Sequence, residues 1–86
     1  MSRGERLENI YAILNENGFK HLIDQMIEEH GIGGTAGEIF SIACTWLAKI
    51  RNRRPDVYKL INKDADIILN EGVTIKYFTE DYYRRQ

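Results

Sequence analysis

TAGEIFSIACTWLAKIRNR, residues Thr35–Arg53, is the stretch whose reading decides the fold. Thr35 followed by Glu38 has the S/T-x-x-E form of a capping box, in which each side chain satisfies a backbone donor at a helix start. Beyond it, Ile39, Phe40, Ile42, Ala43, Cys44, Trp46, Leu47 and Ile50 cover most of a helical circumference. Only Glu38, Ser41, Thr45, Lys49 and Asn52 supply a narrow polar stripe. A helix apolar nearly all round must be covered on several sides. The expectation is a central helix over about 35–53, covered by the rest of the chain or partly by another subunit.

Outward on the N-terminal side, Leu7, Ile10, Tyr11 and Leu14 recur at helical spacing, and Gly18 stands where that helix would end. Phe19, Leu22, Ile23, Met26 and Ile27 repeat the pattern, closed by His30 and Gly31. Two short amphipathic helices are predicted, with Glu5 and Glu8 suiting the positive end of the first dipole. On the other side, Pro55 ends the central helix and fits the first turn of the next. Val57, Leu60, Ile61, Ala65 and Ile68 form the predicted inward face of helix four, with Gly72 as its C-terminal cap. Val73, Ile75 and Tyr77 alternate as a strand would, but the chain holds no second strand to pair with it. A short final helix, capped by Thr74 or Thr79 and running towards Arg85, is expected instead. The predicted class is all-α: a compact bundle of four to five short helices, one domain over 1–86.

Eighty-six residues leave room for one core. At 43% hydrophobic and 29% charged, the composition is that of a globular chain rather than a disordered one. The net charge of −1 gives no whole-chain argument for nucleic acid or an anionic membrane. Its distribution is uneven. Residues 1–48 carry three cations against seven carboxylates, and residues 49–86 nine against six. Such a dipolar chain permits head-to-tail self-association or a basic patch without demanding either. Cys44 is the only cysteine, which excludes an intrachain disulfide and favours a reducing compartment. The start, MSRGERLEN, lacks a signal-like apolar run, and no stretch approaches the roughly 18 apolar residues of a membrane span. A cytoplasmic protein with no membrane partner is expected.

Several motifs invite sharper readings. GIGGTA, residues 31–36, satisfies G-x-G-x-x-A before a helix, but dinucleotide folds need a strand ahead of it, and here the preceding residues are periodic at 3.6. What survives is an anion cradle of first-turn amides, a property of every helix start. The stretch His21–Lys49 has the helix, glycine-bearing turn, helix order of a DNA-reading motif, yet its second helix offers Phe40, Ile42 and Trp46 instead of polar side chains. Lys49, Arg51, Arg53 and Arg54 form the densest positive cluster. They are candidate nucleic-acid or anion contacts, or else cations neutralising the carbonyls of a helix end. Tyr77, Phe78, Tyr82, Tyr83, Arg84 and Arg85 crowd the tail. Tyr and Arg are enriched at interface hot spots and also stack on single-stranded bases, so this tail is the candidate protein interface. Alternatively, Phe78 and one or two tyrosines fold back over helices three and four.

For catalysis the inventory is thin. His21, Asp24 and Glu28 share one helical face, which reads as a solvated salt-bridge surface rather than a metal site with a fixed geometry. Cys44 sits on the most apolar helix, where burial makes a thiol inert. Ser2 and Ser41 have no nearby base. No catalytic, cofactor or metal residue is assigned, and no enzyme is expected. The expected function is a small protein-interaction module: an adaptor, regulator or inhibitor acting on a protein partner, without a cofactor and open to homo-oligomer formation. Host-directed inhibitors and anti-defence proteins of phages are small stand-alone proteins of the same kind, an analogy of size and missing catalytic groups rather than of motif. The alternative is a nucleic-acid-binding regulator using residues 49–54 and the aromatic, basic tail.

Overall fold

The computed structural model describes Met1–Gln86 as five helices and no strand: α1 (Arg3–Glu16), α2 (Lys20–His30), α3 (Ala36–Arg53), α4 (Pro55–Thr74) and α5 (Glu80–Arg84). The all-α bundle is the predicted class. No helix is long and apolar enough to cross a membrane.

Local chemistry places the helix starts. At α1, the Ser2 hydroxyl accepts from the Glu5 amide and the Glu5 carboxylate accepts from the Ser2 amide, both at 3.2 Å, which makes a complete capping box. At α3 only half of the predicted box forms. Thr35 Oγ1 accepts from the Glu38 amide at 3.1 Å, but the Glu38 carboxylate turns to the Gly34 amide, at 3.2 Å. The chain enters α3 through Gly33 at φ 82°, and this left-handed turn presents Gly34, not Thr35, to the carboxylate. Arg54 alone separates α3 from α4, and Pro55 takes the first turn of α4, where its missing N–H costs nothing.

Helix α4 corrects two expectations. It does not end at Gly72 but continues to Thr74, so residues 73–74 are helical and the strand alternative falls. Gly72 is buried inside the helix, where a Cβ would collide with Tyr83 Oη and come within 3.2 Å of Cys44 Sγ. Its function is close approach, not capping. The left-handed residue past the helix end is Lys76, at φ 63°. Thr79, not Thr74, caps α5, its hydroxyl accepting from the Tyr82 amide at 3.0 Å. The second correction is Leu60, which is 40% exposed. α1 and α3 cover only the arc of Val57, Ile61, Ala65, Ile68 and Leu69, and Leu60 lies outside it.

α3 shares the centre of the bundle with α4, and α1 closes the far side of α4. Arg6 Nη1 meets Asp64 Oδ1 at 2.9 Å, fastening α1 to α4 through the one buried carboxylate. Trp46 Nε1 donates to the Leu22 carbonyl at 3.1 Å and ties α2 to α3. α5 seats over the polar stripe of α3: Asn52 Nδ2 donates to the Tyr83 carbonyl at 2.7 Å, and the Thr45 and Tyr82 hydroxyls share a hydrogen bond of 3.2 Å. Two residues of the stripe, Thr45 and Asn52, therefore serve as the seat of the tail. No buried side-chain polar atom lacks a partner.

Candidate functional site

The aromatic tail divides. Tyr83 is fully buried among α3, α4 and α5, its hydroxyl donating to the Leu69 carbonyl at 3.1 Å, so it belongs to the core and not to a contact surface. Burial, with the Cys44 thiol beside it, pushes its phenol far above the usual tyrosine range. Burial likewise raises the Cys44 thiol. The slot that admits this ring exists because Gly72 has no side chain. Phe78 is half-buried and stacks on Tyr82 with centroids 4.7 Å apart, while Tyr77 lies 5.7 Å from Phe40. Arg84 and Arg85 are exposed and both turn to Asp81, at 3.8 and 2.6 Å. Tyr77, the outer edge of Tyr82 and the two arginines remain on the surface; the rest of the tail is a cover.

The basic cluster also divides. Lys49, Arg53 and Arg54 line one cleft of about 320 Å³ between α2 and α3, together with His21 and His30 and above a floor that includes Trp46 and Ile50. Arg51 faces the other way, 3.6 Å from Glu80 and over the Tyr83 ring. Within the cleft, Lys49 reaches Glu29 at 3.6 Å. Arg54 donates to Asp56 at 3.3 and 3.2 Å, which holds the Asp56 carboxyl below its usual range and raises the Arg54 guanidinium. Of the four cations only Arg53 has no carboxylate partner. Asp24 pairs with Lys20 at 3.1 Å, and His30 lies 3.7 Å from Glu29. No three His, Cys, Asp or Glu side chains converge as a ligand set.

A second concavity escaped sequence reasoning. It is a groove of about 250 Å³ at the junction of α1, α2 and α3, lined by Tyr11, Ile23, Met26, Ile27, Ile32, Ile39, Ile42 and Ala43 with Gly31. Three of its isoleucines stand well out of the core: Ile27 is 42% exposed, Ile32 78% and Ile39 39%. The periodicity of α2 and α3 marks Ile27 and Ile39 as inward, but the turn through Gly31 and Gly33, both at positive φ, packs against Ile39 only at Gly33 and leaves Ile27 42% and Ile39 39% exposed. Ile32, a large apolar residue isolated in a glycine turn, was the available signal.

Two carboxylates stand one helical turn from lining residues of this groove. Glu8 lies one turn before Tyr11, and Glu38, whose carboxylate is held by the Gly34 amide, one turn before Ile42. Both are exposed and neither forms an ion pair. The only lysine or arginine within a helical turn of the lining is Lys20, already held by Asp24. No protein-family model matches this chain, and neither a curated protein nor a solved structure is significantly similar to it.

Proposed function

We propose that the protein is a non-enzymatic protein-interaction module, an adaptor, regulator or inhibitor, that receives an amphipathic helix in the groove between α1, α2 and α3. The observation that carries this reading is the contiguity of Ile27, Ile32 and Ile39, three exposed isoleucines around one apolar concavity. Isolated surface apolar residues need no explanation, but a joined and concave set marks a contact site. Helix-in-groove recognition reads apolar anchors spaced i, i+3 or i+4, and i+7. Glu8 and Glu38, each one turn from a lining residue, favour a partner helix whose stripe is flanked by lysine or arginine. The proposed location is cytoplasmic, in keeping with the single unbridged cysteine.

The test is affinity capture from the native host, with and without nuclease, by the wild type, by Ile32→Glu and by Arg53→Ala with Arg54→Ala. Ile32 is exposed in a turn, so its substitution leaves the core alone. A protein retained after nuclease, kept by the arginine variant and lost with Ile32→Glu is the expected result; an untagged copy of the chain itself counts. Capture indifferent to Ile32→Glu overturns the reading.

One observation favours a second reading, nucleic-acid binding: Lys49, Arg53 and Arg54 share a cleft and Arg53 is unpaired. The aromatic half of that reading is weakened by the burial of Tyr83. Under it, binding falls steeply with salt and is lost in the double arginine variant.

A further inference from the structure

The cleft between α2 and α3 holds positive charge that the fold does not spend. α3 gives it Lys49, Arg53 and Arg54, and Glu29 of α2 is the one carboxylate among its lining residues. Glu29 is loosely engaged: Lys49 Nζ stands 3.6 Å from it and His30 Nε2 3.7 Å, both beyond hydrogen-bond length. Neither the lysine nor the histidine spends a donor there. Arg54 is committed to Asp56, whereas Arg53 has no carboxylate partner. Below these polar groups, Met26, Trp46 and Ile50, none more than 7% exposed, give the cleft an apolar floor. Its volume of about 320 Å³ falls at the lower end of small-molecule sites, roughly 300–1,000 Å³.

We infer that this cleft binds a small organic anion, its carboxylate or phosphate head on Arg53 and a compact apolar body over the Trp46 floor. One free guanidinium suits one anionic head, because its fork of donors matches two oxygens of a carboxylate or a phosphate. Lys49 adds its charge when that head competes with Glu29, whose grip on it is long. The apolar floor is what an inorganic ion would leave uncovered, and it favours a ligand that carries carbon behind the charge. A polynucleotide fits the arrangement less well. Its affinity comes from many phosphate contacts along a track of cations. Here Arg51 faces away towards Glu80 and Arg54 is held by Asp56, so no such track exists. The inference does not rest on the apolar groove, with which the cleft shares only Met26.

Magnetic resonance titration of the isotope-labelled full-length chain with phenyl phosphate and with benzoate tests this. Trp46 is the only tryptophan, so its indole N–H is a single reporter at the floor of the cleft. Either probe should move that signal and the Lys49 amide saturably, with a dissociation constant in the millimolar range or below, and leave the Ile32 amide in place. The tighter of the two names the head group. Benzyl alcohol, a ring without charge, and inorganic phosphate, a charge without a ring, should each bind more weakly. Arg53→Ala should weaken binding about tenfold, the scale of one charge-assisted hydrogen bond. Arg51→Ala removes the same charge on the other side of α3 and should change it by less than about twofold, since salt screens distant exposed charges. Glu29→Gln should strengthen binding severalfold, because it removes the only carboxylate in the lining and releases Lys49. Arg53 and Glu29 are both exposed, so neither substitution disturbs the core. Absence of saturation by about 10 mM overturns the inference. So does equal binding of benzyl alcohol or of inorganic phosphate, or an equal loss with Arg51→Ala and Arg53→Ala. A single-stranded oligonucleotide that displaces phenyl phosphate, needs Arg51 as well as Arg53 and weakens steeply with salt also overturns it, in favour of nucleic acid.

Discussion

Gly72, Tyr83 and Cys44 meet at one point, and a hydrogen atom in place of a side chain is what lets them. In an exposed helix interior, Gly→Ala gains about 1 kcal/mol from propensity. At Gly72 the sign should reverse, because the new methyl meets the Tyr83 hydroxyl, which the Leu69 carbonyl holds in place. Overpacking of this kind costs about 1–3 kcal/mol, to be read as a lower urea midpoint for Gly72→Ala. Tyr83→Phe removes the obstructing oxygen at the loss of one hydrogen bond, about 1 kcal/mol. The double variant should therefore be more stable than the two single losses predict. Strict additivity would show that the methyl and the hydroxyl do not meet. Nothing near Gly72 in the chain signals this. A glycine closing an apolar run reads as a cap, and only the arrival of residue 83, eleven positions on, gives it another purpose.

The helices differ in how much of their making is their own. α1 and α3 begin at threonine or serine caps with a carboxylate three residues on, a local device that a sequence displays openly. α5 has five residues, far below the length at which a helix stands alone. It is held by the Thr79 cap, the Asn52 bond to the Tyr83 carbonyl and the buried Tyr83 ring. Thr79→Ala should cost about 1 kcal/mol, and the loss should be local. Hydrogen exchange at the Gln86 and Arg85 amides, which close the last turn of α5, should quicken while the amides of α3 keep their protection. A uniform quickening along the chain would mean that α5 opens only with the whole fold.

For the whole molecule, alkaline pH is the sensitive direction. Tyr11, Tyr58, Tyr83 and Cys44 all hold their protons more tightly in the folded state. Burial is the leading cause for each, and at Tyr58 the Asp66 carboxylate accepting its hydroxyl adds to it. The unfolded chain releases these protons near the ordinary values, 9.0 for the thiol and 10.0 for the phenols, where the folded chain still keeps them. The folded state then binds more protons, so stability falls as pH rises. The contribution is complete below about pH 9 and is lost progressively above it. Urea midpoints measured from pH 7 to about 11 should decline on that limb, less steeply for Tyr58→Phe. A flat profile would contradict the burial of these groups. The Arg6–Asp64 and Arg3–Glu71 pairs join α1 to α4, and none of the four residues lines the groove.

By itself the sequence determined the first four helices and their order, the starts of α3 and α4 at Thr35 and Pro55, and the demand that α3 be covered, while leaving a fifth helix open. Each of these rests on spacing or capping within a few residues, and such interactions are complete in the local chain. The tertiary structure decided how α3 is covered: α5 closes over Thr45 and Asn52, and its Ile39 and Ile42 edge is left open beside α2. It also decided that Tyr83 is core, that Arg51 parts from Lys49, Arg53 and Arg54, and that Leu60 and Ile67 face solvent. Periodicity assigns a residue to a face of its own helix. Whether that face meets a neighbour depends on where helices cross, which is set by contacts between residues far apart in the chain, as among Cys44, Gly72 and Tyr83.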